Sequence, residues 1–347
     1  MTAHKIGIVG GSGFVGLALA KHLTESFLVK VIDKNPIPEK VQGRIRFERC
    51  DIRNYNEVER SLSDVDLVIH AAIIQIPLIN EAKRLGYEVN VLGTQNICEV
   101  VDKNPITKGL ILVSSWHVFG ESGLRGVINE EFGFRPDKVQ DRARFYALCK
   151  ITQETVVRLH DEFSEKVFGV VRLGTVLGDG MPKKTAANLF ISNGLRGEAL
   201  TPYSDSMYRP MLYIDIADVQ RGFESYVRKI LNGVISTETN SLHHIVNLCC
   251  PEAVTVFELA RTVRDLVVKC TKGNIQPKIK IVDTGQPSFF AVSDKKSMKV
   301  DISKARDFLG LKNLISPHES LERIIRKRIN KMKFVKNYSN NTEGGIT

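Results

Sequence analysis

Tyr146 and Lys150 stand four residues apart in Tyr146-Ala-Leu-Cys-Lys150, and Gly10-Gly-Ser-Gly13-Phe-Val-Gly16 lies far upstream in the same chain. On a helix that separation puts both side chains on one face, so an ammonium at 150 can lower the pKa of the phenol at 146. A phenol with its ordinary pKa of about 10 is a poor base, and one tuned in this way is a usable one. Together the pair and the glycines point to a nicotinamide-dependent enzyme.

The elements around the glycines fit that reading. Lys5-Ile-Gly-Ile-Val9 is an apolar run of strand length and Phe14 to Leu23 has helical periodicity, so the glycines fall on a strand-to-helix turn. Gly10 permits the tight turn, Gly13 lets backbone approach a pyrophosphate, and Gly16 lets the helix pack close to the strand. The N–H groups of Phe14 and Val15 then open a helix toward the anion. A lone glycine pattern is more often an ordinary turn, but here a second strand, Leu28-Val-Lys-Val-Ile32, runs into Asp33. A carboxylate there accepts hydrogen bonds from the adenosine ribose and repels a 2′-phosphate, which predicts NAD rather than NADP, with Lys34 adjoining.

Composition bounds the rest. The chain has 347 residues, is 43% hydrophobic and carries a net charge of +10, enough for one large core or two fused ones. No apolar run approaches the ~18 residues of a membrane span, and Met1-Thr-Ala-His-Lys enters the first strand without an apolar signal region, so the expected location is the cytoplasm. Six cysteines (Cys50, Cys98, Cys149, Cys249, Cys250 and Cys270) form no Cys-x-x-Cys pair and suggest no metal. Cys149 faces away from Tyr146 and Lys150 and receives no chemical role.

The charge is concentrated. Arg323, Arg326, Lys327, Arg328, Lys331, Lys333 and Lys336 occur with no acid between them, and the remaining body is nearly neutral. With Ile324, Ile325, Ile329 and Met332 the segment has enough amphipathicity to touch an anionic membrane, but a solvated final helix is the simpler reading, and no nucleic-acid partner is expected. Asn337 to Thr347 reads as disordered.

Strand and helix keep alternating between the two motifs. Asp66-Leu-Val-Ile-His70 ends in Ala71-Ala72, small residues that suit backbone passing beside a cofactor. Asp51-Ile52, after the strand from Ile45 to Cys50, offers a carboxylate and an apolar wall to an adenine. Gly109-Leu-Ile-Leu-Val113 ends in Ser114-Ser115. This alternation predicts a parallel, doubly wound α/β sheet with its ligands at the carboxyl edge.

In this order the chain also carries Asn90-Val-Leu-Gly-Thr-Gln-Asn96, Val113-Ser-Ser-Trp-His-Val-Phe-Gly120, Val171-Arg-Leu-Gly-Thr-Val-Leu-Gly178, Tyr208-Arg-Pro-Met-Leu-Tyr-Ile-Asp215 and Asp301-Ile-Ser-Lys-Ala305. From about Lys5 to about Leu311 it resembles the NAD-dependent epimerase/dehydratase family of extended short-chain dehydrogenases/reductases. The resemblance implies a Rossmann-type sheet with a smaller, interleaved C-terminal substrate domain. The expected division is 1–178, with 213–248 returning to it, for NAD; 179–212 and 249–322 for substrate; and 323–347 as basic helix and disordered tail. It implies Ser115, Tyr146 and Lys150 as catalytic residues, with Ser115 hydrogen-bonding the substrate, Tyr146 taking the hydroxyl proton, and Lys150 holding the ribose. Asn90 joins the cofactor set. A homodimer built on two long helices, Leu78 to Lys103 and Arg142 to Glu162, is implied in the same way.

The family's dehydratases and decarboxylases usually carry an acidic residue just after the catalytic Ser or Thr; here stand Trp116 and His117. His117 is a group that can exchange protons near neutral pH. Ser-x-His-x-x-Gly followed by Arg135-Pro-Asp137 also looks like the uronate dehydrogenases. Asn188 and Arg209 match the stretch in which nucleotide-sugar enzymes hold base and diphosphate, and a guanidinium fork suits phosphate. Thr175 stands where the family has Asn, and Ala291 where a late Arg usually contacts the diphosphate; Lys295 or Lys296 is the available substitute. The sequence therefore predicts a nucleotide-sugar epimerase. The alternatives are a sugar or uronate dehydrogenase, a dehydratase, and a non-catalytic NAD sensor, against which the complete Ser115, Tyr146, Lys150 set argues.

Overall fold

The computed structural model describes residues 4–41, 43–237 and 240–343. Seven strands form its main sheet: β1 (Lys5–Val9), β2 (Leu28–Asp33), β3 (Arg46–Arg49), β4 (Leu67–His70), β5 (Gly109–Ser115), β6 (Val167–Leu173) and β7 (Ile245–Leu248), in the order β3-β2-β1-β4-β5-β6-β7. Every neighbouring pair is parallel. The strands read as near-continuous apolar runs because both faces are covered: every residue of β5 and β6 is buried.

On one face α1 (Phe14–Leu23) packs through Leu19, Ala20 and Leu23 beside Val219, Phe223 and Val227 of a later helix. On the other lie α2 (Tyr55–Leu62), α3 (Gly93–Lys103) and α4 (Asp141–Phe163), which bury Val58, Leu62, Ile97, Cys98, Val101 and Val157 against the sheet. Each such side chain contributes roughly 1.5–3 kcal/mol on leaving water. Strand order reverses direction between β1 and β4, which opens the ligand crevice at their carboxyl ends.

A separate cluster is formed by α5 (Ala186–Leu195), α7 (Val256–Cys270) and α8 (Pro317–Glu343), with α6 (Ile216–Leu231) as the earlier-mentioned partner of α1. It gathers Phe190, Ile191, Leu259, Val263, Leu321, Ile324 and Ile325 around Trp116 and Phe119, which follow β5. The chain enters α6 through Asp215, whose side chain caps the helix at Ala217 N (2.7 Å) and also accepts Ser320 Oγ (2.6 Å) and Arg323 of α8. Lys327 and Lys331 both pair with Asp179. These basic side chains stay half or more exposed, so the run remains a solvated helix face that also pairs with acids of its own chain.

Two expectations are corrected. Leu78 to Lys103 is not one long helix: Leu78–Glu81 and Lys83–Tyr87 break at Ala82, and a π-helical turn, Glu88–Leu92, precedes α3. The side chain of Asn90 in that turn binds both backbone groups of Ile74. Helix α8 continues to Glu343 where disorder was expected from Asn337, since no breaker occurs before Gly344; residues 344–347 lie outside the described ones.

One buried ion pair ties the site-bearing elements together. Glu154 of α4 (0% exposed) receives a fork from Arg172 of β6 (1% exposed), with bonds of 3.0 and 2.9 Å to Oε2, and accepts the hydroxyl of Ser114 on β5. Removing one partner leaves a buried charge uncompensated. Glu154→Ala should lower unfolding stability by about 3 kcal/mol in urea titration; a loss below about 1 kcal/mol would deny the pair that role.

Candidate active site

The crevice between β1 and β4 is built for close backbone approach. Gly10 has φ +78°, and a Cβ there would lie 2.3 Å from Ala72 N; one on Gly16 would meet Gly10 O at 2.4 Å. A Cβ on Gly13 would meet nothing nearer than 3.3 Å, and Gly13 begins α1 with no side-chain cap. The first N–H groups of α1, from Phe14, Val15 and Gly16, are therefore free to meet an anion. Phe14 packs beside Gly178.

At the end of β2 the Asp33 carboxylate accepts Ser12 N (3.0 Å) and Asn35 N (2.9 Å), which fixes it beside the glycine turn with acceptor capacity remaining. Lys34 is exposed and turns 3.4 Å toward Asp51. Asp51 is gripped by Arg53 through Nε (3.0 Å) and Nη2 (2.6 Å), and that hydrogen bonding holds its carboxyl well below the usual range. Ile52 is buried against Gly93. These residues fit NAD: a bare helix N-terminus for the pyrophosphate, glycine where side chains would collide, and a carboxylate for the ribose.

Ser115 ends β5, and Tyr146 enters the same neighbourhood from α4, the His117 ring meeting both. Lys150, 2% exposed, donates from Nζ to Val113 O at 2.7 Å. Burial pushes the Tyr146 phenol up to about 12, against the pull of the Ser115 hydrogen bond, and pushes the Lys150 ammonium down to about 7. The expected lowering of the phenol by Lys150 is not among the influences on Tyr146, and desolvation dominates both groups. Below them Gln153 Nε2 donates to Thr94 Oγ1 (2.8 Å), which meets His70 Nε2 at 2.9 Å. Burial lowers the His70 pKa to about 3, so it sits there neutral.

Trp116 is buried and donates from Nε1 to Thr175 Oγ1 at 3.3 Å. His117 packs edge-on to the Tyr146 ring, centroids 5.7 Å apart, and its Nδ1 lies 3.0 Å from Ser115 Oγ. Arg209 faces the same cluster, with Nε buried and unpartnered. Ser115, Trp116, His117, Tyr146, Thr175 and Arg209 thus share one neighbourhood. Asn188 engages elsewhere: its Nδ2 donates to Met181 O (2.8 Å) and Pro182 O (3.2 Å), bracing the start of α5. Asn90, likewise, braces the loop at Ile74. The sequence reading missed Glu121, fully buried, whose Oε1 lies 3.5 Å from His117 Nε2. A carboxylate directly after Gly120 was the available signal.

A Rossmann-type sheet with this crevice defines a dinucleotide-dependent enzyme class. The chain belongs to the NAD dependent epimerase/dehydratase family, which matches residues 6–236, and its cofactor is NAD. It is similar to UDP-glucuronic acid decarboxylase 1 of Danio rerio, 26% identical over 334 residues, covering 93% of this chain and 72% of the relative. D-erythronate dehydrogenase of Haemophilus influenzae is 30% identical over 221 residues, 58% of this chain and 66% of the relative. The solved UDP-glucuronic acid 4-epimerase of Bacillus cereus, in complex with UDP-glucuronic acid and NAD, has the same fold, with TM-score 0.71, 22% identity, and 93% and 99% coverage. Among the described residues no helix is long and apolar enough to cross a membrane.

Lys150 loses its charge near pH 7 inside the fold and near 10.5 unfolded. Between those values the unfolded chain holds more protons, so stability rises with pH across the window, and the destabilisation by a buried ammonium is fully present below it. In NAD-free protein, Lys150→Met should gain stability relative to the parent as pH falls from 10 to 6, a change on the order of a few kcal/mol in urea titrations. A pH-independent difference would mean that Lys150 keeps an ordinary pKa.

Proposed function

We propose that the protein is a nucleotide-sugar epimerase, oxidising and then re-reducing one sugar carbon so that NAD is regenerated in each turnover. The observation that carries this reading is the convergence of Ser115, Tyr146 and Lys150 at the carboxyl end of β5, beside the glycine turn, with no acid at 116 or 117. NAD, when bound, supplies the hydride acceptor. Ser115 holds the substrate oxygen, Tyr146 moves the proton at that oxygen, and Lys150 orients the cofactor ribose. Trp116, His117 and Thr175 wall the sugar, while Arg209 offers its unpartnered Nε to an anionic group of the substrate. Asn188 shapes that half of the site through the turn at Met181.

A second reading, a dehydrogenase of a free sugar acid, is favoured by the likeness to D-erythronate dehydrogenase and by the histidine at 117. The protein is further proposed to be cytoplasmic and to pair as a homodimer along α4, whose outer face exposes Leu148, Leu159 and Phe163.

Incubation with NAD and a panel of nucleotide sugars, aldoses and uronic acids separates the readings. An isomer of unchanged mass without NADH accumulation is the expected result; steady NADH growth at 340 nm would replace the epimerase with the dehydrogenase, and loss of water with a dehydratase. Tyr146→Phe should lower turnover by at least about 100-fold while leaving NAD affinity within about threefold. Undiminished turnover would refute Tyr146 as the proton-transfer group.

A further inference from the structure

Arg323, Lys327 and Lys331 follow one another at intervals of four on α8, so they form one stripe along the helix. Each meets an acid at the end of a strand. Strands Thr175–Leu177 and Tyr213–Asp215 pair in parallel, with Leu177 opposite Asp215. The wholly buried Asp215 side chain accepts Arg323 and Ser320 Oγ (2.6 Å). Asp179, two residues beyond Leu177, accepts Lys327 (3.0 Å) and Lys331 (2.9 Å). Beneath the stripe, Leu321, Ile324 and Ile325 enter the same apolar cluster as Leu177 and Tyr213. Helix α8 therefore grips both carboxyl ends of this two-stranded ribbon.

Those ends lie against the cofactor turn. Phe14, the residue that opens α1, packs on the same cluster. A Cβ on Gly178 would lie 3.0 Å from Phe14 Cζ and 2.8 Å from Ile216 Cγ2, and one on Gly180 would lie 3.8 Å from Phe14 Cδ2. At the other end of the segment Thr175 takes the indole N–H of Trp116 at 3.3 Å. The turn from Gly178 to Gly180 thus has the start of the pyrophosphate-facing helix on one side and the lysines of α8 on the other.

We propose that Asp179 is a positioning residue for NAD: held by Lys327 and Lys331, it keeps the turn at 178–180 closed on Phe14 and so fixes the first turn of α1, whose N–H groups take the pyrophosphate. Glycine stands on both sides of Asp179, and Gly180 has φ +92°, so the backbone there has a wide conformational choice that the lysine pair narrows. Each pair is half exposed and weak by itself. Two of them converge on one carboxylate, and the buried Asp215 contacts place the helix that carries them. Hydrogen bonding from Lys331 and Lys327 holds the Asp179 carboxyl below its ordinary range, so the acid stays charged at neutral pH.

The test uses the full chain and reads the segment at both ends. Trp116 is the only tryptophan, so its indole N–H gives a single resonance in nitrogen-edited NMR that reports the Thr175 end in NAD-free protein. Calorimetric titration with NAD reports the Phe14 end. Asp179→Lys, which turns two attractions into repulsions, should shift the indole resonance and weaken NAD binding about three- to tenfold. Adding Lys327→Asp and Lys331→Asp to that chain should restore both readouts. Lys327→Ala with Lys331→Ala, which leaves the turn itself intact, should weaken NAD binding about threefold. A merely structural role would lower the melting temperature of these variants and leave the NAD affinity of the folded protein at the parent value. Parent-like NAD affinity in the alanine pair overturns the proposal, and that pair alone decides the matter if Asp179→Lys does not fold. A charge swap that melts as the parent does yet recovers no affinity overturns it as well.

Discussion

The hydrogen bond from Lys150 Nζ to Val113 O, made at 2.7 Å with the amine almost wholly buried, locks helix α4 onto the carboxyl end of β5. It does not act alone. One turn further along, Glu154 takes the Ser114 hydroxyl and the Arg172 fork, and Gln153 meets the Thr94–His70 pair. These three ties lie on the same helical face, and leaving any one buried partner unsatisfied costs about 1–3 kcal/mol. Tyr146 is four residues before Lys150 on that face, so packing that extends well below the site carries its ring against His117, whose Nδ1 meets Ser115.

Desolvation, which this packing enforces, acts with opposite signs on the two groups at the centre. It pushes the phenol of Tyr146 up to about 12 and the ammonium of Lys150 down to about 7. At and above neutral pH the resting pair therefore tends toward two uncharged groups, which a dry crevice tolerates far better than a separated phenolate and ammonium. Such a site is held ready without storing charge, and proton movement has to be coupled to neighbours that can accept it.

Local patterns made most of this legible in advance. The glycine turn, the acid ending β2, the small residues after β4 and the Tyr146–Lys150 spacing are each written within a few residues, and the parallel sheet follows from strand-helix alternation. What escaped depends on contacts between distant segments. The side chain of Asn90 is held at both ends by Ile74, and that of Asn188 by Met181 and Pro182 at Nδ2 and by Ser192 at Oδ1, engagements that no local pattern announces. The basic run of α8 is solvated as read, but its pairing of Arg323, Lys327 and Lys331 with Asp215 and Asp179, more than a hundred residues earlier, had no local signal. Glu121 escaped because a carboxylate next to a glycine is ordinary on a surface loop and exceptional only once buried.

The charges that remain around the site are unequal in their satisfaction, and this inequality sets its character. Glu121 has a backbone amide on one oxygen and His117 and Arg142 near the other. Arg209 has a buried Nε with no partner, and burial pulls its pKa down. A guanidinium nitrogen kept dry and unpaired is unfavourable until an anion arrives, and an arriving anion then meets a donor that needs no reorganisation. The cluster at the carboxyl end of β5 therefore sets a histidine-carboxylate pair beside an arginine with an unsatisfied donor.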